Sequence, residues 1–328
     1  MKQTFFTLLL LSAIGFGLTS CHKSSTNNLD INQYDLSQIQ SYIAKNNITN
    51  MVRDTLGGDT SGIYYHVIQA GSGSSLADTN TISFVFTVRT LDGLYSSLDT
   101  IYNQYYGYLG HLSTDALPAG LQYAILNDLK QNGGSMRVLI PSRVAYGVNG
   151  YNPSNSATAS GRIAGNQCLD YYVHLVSPAQ RAAYDDLVIQ NYMKANSLSG
   201  YTKTAVTIPA EGYSVTPGEH GTYNMYYKVI HPGTGNDSIT VNSTFTATYT
   251  GELLDLTNFD IQFNGTDTAS LNYPTLTLGE QGAIKHVTAG STLSMIFPST
   301  LGFGAVGETG VPSNSCLRYE YKIYTVTP

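Results

Sequence analysis

Polar and apolar positions alternate through Thr244-Phe245-Thr246-Ala247-Thr248-Tyr249, the period-two signature of a strand with one buried face. After it the pattern predicts a glycine turn at Gly251 and a second short strand through Phe259 and Asp260. The C-terminal stretch alternates as cleanly, with Leu317, Tyr319, Tyr321 and Ile323 on one face and Cys316, Arg318, Glu320 and Lys322 on the other. Comparable runs predict strands at about 62–69, 80–90, 136–141 and 167–176, and again at about 223–231, 243–253, 292–297 and 315–326. Two stretches carry the helical period instead. Leu36, Ile39, Tyr42 and Ile43 recur every three or four residues, with Asp35 available as a cap, and Ala182, Leu187, Ile189 and Tyr192 follow a start at Ser177 or Pro178.

These elements recur in order. Ile39-Gln40-Ser41-Tyr42-Ile43 returns 150 positions later as Ile189-Gln190-Asn191-Tyr192-Met193. Tyr64-Tyr65-His66-Val67-Ile68 returns after 162 positions, Ile140-Pro141-Ser142 after 157, and Asn166-x-Cys168-Leu169-x-Tyr171 after 148. The offset drifts while the order holds, so the chain is a tandem duplication with insertions and deletions. Its units run over 30–176 and 177–328. Antiparallel strands with one short helix between them, behind an N-terminal helix, predict an α+β class: a curved sheet wrapped on a helix, twice.

Before the first unit stands a different kind of segment. Met1 to Ser20 holds Lys2, an apolar run from Phe5 to Leu18, and then Leu18-Thr19-Ser20-Cys21. The run is short for a membrane span and ends at small residues, which predicts a processed signal. The Leu-Thr-Ser-Cys ending matches a bacterial lipobox, which implies lipidation of Cys21; the plainer alternative is a secretory signal with an incidental cysteine. His22 to Leu29 is polar and predicts a flexible tether at 21–29. The expectation is a lipoprotein of the cell envelope, anchored to a membrane and facing the periplasm or the exterior.

Composition narrows the chemistry. Without Lys2 there are 15 basic side chains (16 less that one) against 22 acidic, a net of −7 with no basic cluster, which disfavours nucleic acid. Cys168 and Cys316 are too few for a disulfide scaffold and are expected as free structural thiols. No metal-ligand spacing occurs, and His66 and His174 are expected on strand faces. Gly302-Phe303-Gly304-Ala305-Val306-Gly307 fits G-x-G-x-x-G by spacing alone, since a turn follows where a helix is required. Gly71-Ser72-Gly73 lacks the strand–Ser–helix setting of a hydrolase elbow. No metal and no cofactor is expected.

The stretch Tyr249-Thr250-Gly251-x-Leu253-x-Asp255-x-x-x-Phe259-Asp260 resembles the FKBP-type peptidyl-prolyl isomerases. The resemblance covers nearly all of both units and implies two tandem FKBP-like domains and a pocket for proline-containing polypeptides. In the second unit it implies pocket positions at Tyr249, Phe259, Asp260, Phe303, Val311 and Tyr319. Phe303 stands where the family usually has a tyrosine, and Leu278 to Gly290 is too short for the family's V-I-P-G-W turn and helix, so the tryptophan floor has no counterpart. In the first unit the matching positions are Phe86, Tyr95, Leu117, Leu121 at the floor, Tyr146, Ile163 and Tyr171, with no carboxylate after Tyr95. The intact Tyr146 and the intact Phe259-Asp260 pair favour isomerisation, the missing tryptophan floor and the lost Phe303 hydroxyl favour binding alone, and the second unit is expected to orient the peptide.

Such a pocket suits a reaction that needs neither nucleophile nor metal. Rotation about a peptide bond faces a barrier of about 18–20 kcal/mol set by amide resonance, while the X-Pro isomers lie within about 1 kcal/mol of one another. An apolar cup that binds the twisted bond better than the planar one is a catalyst by differential binding. Three readings stand: a prolyl isomerase of secreted polypeptides; a non-catalytic pair of binding or chaperone domains; and, on the tyrosine-rich surface alone, an accessory of a carbohydrate system.

Overall fold

Strand and helix periods translate into two sheets of like topology. The computed structural model describes residues 30–56, 58, 60–153, 155–209, 220–262 and 268–328, with backbone alone for 260–262. The signal segment, Cys21 and the tether lie outside the described residues. The first unit runs α1 (Ile31–Lys45), β1 (Val52–Arg53), β2 (Tyr64–Gln69), β3 (Ser72–Ser75), β4 (Thr81–Thr90), β5 (Ser96–Ser97), β6 (Gln104–Tyr108), α2 (Ala119–Ala124), β7 (Gln131–Asn132), β8 (Ser135–Ile140) and β9 (Leu169–Leu175). The second runs α3 (Pro178–Ala195), β10 (Thr202–Ile208), β11 (Gly221–His231), β12 (Thr244–Leu253), β13 (Asn258–Gln262), β14 (Ala269–Asn272), α4 (Leu278–Ile284), β15 (Thr292–Phe297) and β16 (Leu317–Thr327). Sheet order is β1-β2-β8-β9-β4-β5 with β6 also on β4, and β10-β11-β15-β16-β12-β13 with β14 also on β12. All of these pairings are antiparallel. The α+β architecture expected from the sequence is therefore what forms, as two antiparallel sheets of like order, each wrapped on a short helix.

Glycine lets those helices close on their sheets. A Cβ on Gly120 would come within 2.6 Å of Ile140, and one on Gly279 within 2.3 Å of the Phe297 ring, so both second helical positions must lack a side chain. The second unit does contain its helix, contrary to the expectation that Leu278 to Gly290 was too short. It starts on a capping box, Thr277 with Glu280, rather than on the proline that precedes α2.

The N-terminal helices pack on their own sheets. Ile39 of α1 lies against Leu139 and Cys168, and Ile189 and Tyr192 of α3 lie against Tyr226, Ile296 and Cys316. Asp30, not Asp35, caps α1. Asp35 is buried and accepts hydrogen bonds from the Ser142 hydroxyl (2.7 Å) and the Arg143 N–H (3.2 Å). Asp185 repeats the anchor in α3, accepting from the N–H (3.0 Å) and hydroxyl (2.6 Å) of Ser299. The Pro-Ser pairs at 141–142 and 298–299 thus tie each opening helix to its sheet. Cys168 and Cys316 are free and buried beneath these helices, not on a solvent face, and burial pushes both thiols up. From α3, Arg181 also donates to the Ser83 hydroxyl at 2.6 Å, joining the units.

A π-helical turn at Ile125–Leu129 follows α2 and carries Asp128. Burial and the charge of Asp54, partly offset by Lys130, push the Asp128 carboxyl up to about 7. A carboxyl raised on folding stabilises while protonated: its contribution is complete below about pH 4 and is lost as pH rises through about 7. Asp128→Asn should therefore stabilise the chain by about 2 kcal/mol at pH 8 and change little at pH 4. Thermal unfolding of both proteins across that range checks it; a constant difference would remove the assignment to this proton.

Candidate functional site

In the first unit, β4, β9 and the loops around them place aromatic side chains about one hollow. Phe86 and Val88 come from β4, Tyr171 from β9, Tyr95 from the turn before β5, and Leu117 from the approach to α2. The long loop after β8 supplies Tyr146, Tyr151 and Ile163. The hollow has a volume of about 540 Å3. Phe86 meets Tyr171 at 5.6 Å between ring centroids, tilted by 43°, and Tyr146 stacks on Tyr151 at 4.7 Å. Paired backbone hydrogen bonds of 2.8 Å between Tyr151 and Ile163 hold the loop in place. Six of the seven first-unit residues expected at a pocket share this cavity. Leu121 does not line it: expected at the floor, it is fully buried in the core, because the third position of α2 faces the sheet.

The polar groups of the cup are few. The Tyr146 hydroxyl donates to the Ala116 carbonyl at 3.0 Å. Burial pushes the Tyr146 and Tyr171 hydroxyls up. Both are neutral donors across the physiological range, so the cup can orient a carbonyl without moving a proton. Asp115 and Tyr105 also line the wall. The Tyr105 hydroxyl donates to the Tyr108 carbonyl at 2.6 Å, and burial, then the charge of Asp115, push it up to about 12. Sequence reasoning missed this pair because β6 has no clean alternation, and Asp115 sits in a loop without a motif. It also missed Ser313, a second-unit residue on the same wall.

In the second unit the matching rings close on one another. Phe259 packs edge-on against Phe303 (6.2 Å) and Tyr319 (5.7 Å), and Tyr319 stacks on Phe297. Tyr249 stacks on Tyr321 at 5.0 Å, and Val311 is buried in the core. Gly251 is not a turn but lies mid-strand in β12, opposite Tyr319. A Cβ there would fall 2.8 Å from the Tyr319 ring and 3.0 Å from Phe259, so the glycine makes room for aromatics. The floor position is occupied after all. Glu280, third in α4 as Leu121 is third in α2, is buried and accepts from the Tyr321 hydroxyl at 2.5 Å. Phe303 borders a smaller hollow of about 130 Å3 with Thr275, Leu276, Leu278 and Thr300. The backbone of Asp260 pairs with Gly251; its side chain lies outside the described residues. Among the described residues no group of three or more His, Cys, Asp or Glu is placed to hold a metal ion, and no helix is long and apolar enough to cross a membrane.

No protein-family model matches the chain. It is similar to the FKBP-type peptidyl-prolyl cis-trans isomerase FkpA of Buchnera aphidicola subsp. Schizaphis graminum, 26% identical over 102 residues, which are 31% of this chain and 40% of that protein. FkpA of Escherichia coli is likewise 26% identical over 109 residues, 32% of this chain and 38% of that one. The chain thus spans about two fifths of the length of the relatives it matches. Among solved structures, FkpA from Escherichia coli aligns over 46% of this chain and 63% of its own, at 20% identity and a TM-score of 0.35. The three FKBP domains of wheat FKBP73 align over 82% and 96%, at 15% identity and a TM-score of 0.30. A distant homology to FKBP-type peptidyl-prolyl isomerases, over about a third of the chain, is what this protein shares with known ones.

Proposed function

We propose that the first unit is a peptidyl-prolyl cis-trans isomerase of secreted or envelope polypeptides, and that the second unit, whose rings fill their own hollow, supports it without catalysing. One observation carries this reading: the open aromatic cavity bounded by Phe86, Tyr146 and Tyr171. A prolyl ring seated there loses water on the faces that meet the aromatic walls, and the X-Pro amide is held where a twisted, less charge-separated bond is favoured. The Tyr146 hydroxyl, now bonded to the Ala116 carbonyl, would exchange that acceptor for a substrate carbonyl. The Leu-Thr-Ser-Cys signal supports the further proposal that Cys21 carries a lipid and holds the protein at an envelope membrane.

A cis–trans assay on a short X-Pro peptide tests the activity. The mature chain should accelerate isomerisation above the uncatalysed rate, and Tyr146→Phe should lower kcat/KM about fivefold, the worth of one neutral hydrogen bond. A second reading, a binding domain without catalysis, is favoured by the lack of a carboxylate after Tyr95. Peptide binding with no acceleration would establish it in place of the first.

A further inference from the structure

A second hollow, of about 450 Å3, lies between the two units. The first unit contributes Thr81 and Ser83 of β4 to one wall, and the second unit contributes Ala179 and Arg181 of α3, Tyr223 and Asn314 to the other. Tyr106 of β6 lines both this cleft and the aromatic cup. The second unit reaches both as well, through adjacent residues: Ser313 on the cup and Asn314 on the cleft. Asn314 is fixed there by its N–H on the Gly304 carbonyl (2.8 Å), its side chain donating to Ser83 (3.3 Å). Cup and cleft therefore adjoin at Tyr106 of β6. Among the described residues that strand pairs with β4 alone, so its other edge offers backbone donors and acceptors.

We infer that cup and cleft form one track for an extended polypeptide, with the prolyl ring in the cup and the flanking chain along β6 between the units. This rests on the proposed reading of the cup and adds its substrate class: extended segments of unfolded protein, not isolated X-Pro turns. An edge strand pairs with extended chain through its backbone, largely without regard to sequence. Tyr102, Tyr106 and Tyr108 are all more than two fifths exposed along this edge and add amphipathic contact area. The second unit then has a role that its closed hollow does not give it, since it supplies the far wall.

The test uses the full chain and two labelled peptides with the same X-Pro core, one short and one lengthened by about six residues on each side, enough to reach past the cup. The long peptide should bind about tenfold more tightly than the short one. Ala179→Trp places a bulky ring in the cleft from an exposed helix position that does not line the cup. It should bring the long peptide down to the affinity of the short one and leave the short one unchanged. Thr81→Trp, on the opposite wall, should do the same, and stands in if the first variant is unstable. Equal affinities for the two peptides on the unmodified chain, or a long peptide indifferent to both folded variants, would overturn the track and leave the cup intact. Failure of both peptides to bind would overturn the cup, and the track with it.

Discussion

Asp185→Ala should destabilise the second unit by about 3 kcal/mol, the largest single effect expected on the fold. The carboxylate is 1% exposed. One oxygen accepts both bonds from Ser299, and the other faces Arg181 at 3.4 Å, whose side chain is only 6% exposed. Removing it strands a buried guanidinium and two donors together, and stranding a buried partner costs more than the intact pair contributes. Asp185→Asn keeps an acceptor for Ser299 and should cost about half as much. Asp35→Ala removes the equivalent anchor in the first unit, where the partners are a hydroxyl and a backbone N–H. It should cost about 1–2 kcal/mol. Urea denaturation of the three variants gives the order. A loss below that of Asp35→Ala would mean that Arg181 is sufficiently held by Ser83 and that the ion pair adds little.

This anchor also shows what sequence could and could not reveal. The repeated Pro-Ser pairs were visible as a repeat, but their partners, Asp35 and Asp185, lie more than a hundred residues upstream, and no local pattern links them. Strands with a half-buried face were legible wherever apolar and polar residues alternate, as in β4, β12 and β16. β6 and β10 were not, since Gln104-Tyr105-Tyr106-Gly107-Tyr108 and Thr202-Lys203-Thr204-Ala205 have no clear apolar face. Gly251 was read as a turn because glycine usually marks one, yet its missing side chain answers to the rings opposite. One compensation became visible only in three dimensions. The cross-strand neighbours Arg89 and Asp170 correspond to Glu252 and Arg318, a charge pair kept with its signs exchanged. The residues of the first cup were legible only through the resemblance of their motifs to the FKBP-type isomerases, since no local pattern brings β4, β9 and the loop after β8 together. The contribution of Ser313 was not, because it depends on how one unit sits against the other.

Which unit works is decided by equivalent substitutions at Phe86 and Tyr249. The two occupy the same register, Phe86 opposite Val173 on β9 and Tyr249 opposite Tyr321 on β16. Both are partly buried, but they face different surroundings. The Phe86 ring borders the open cavity beside Tyr171. The Tyr249 ring is stacked on Tyr321 inside a packed aromatic cluster. On the proposed function, Phe86→Ala would take away a wall for the prolyl ring in the twisted state, and an aromatic contact of that kind is worth about 2–3 kcal/mol. It should lower kcat/KM roughly 30- to 100-fold. The cost to stability should be smaller, about 1 kcal/mol, since one face of the ring already looks into a cavity. Tyr249→Ala should do the reverse, destabilising the second unit by about 2 kcal/mol as a large, partly buried ring leaves a packed aromatic cluster, while kcat/KM stays within about twofold. The cis–trans assay and a denaturation curve on each variant read both quantities. Loss of rate in Tyr249→Ala with Phe86→Ala unaffected would move the working pocket to the second unit, beside Asp260, and the packed rings there would then have to open to admit a substrate.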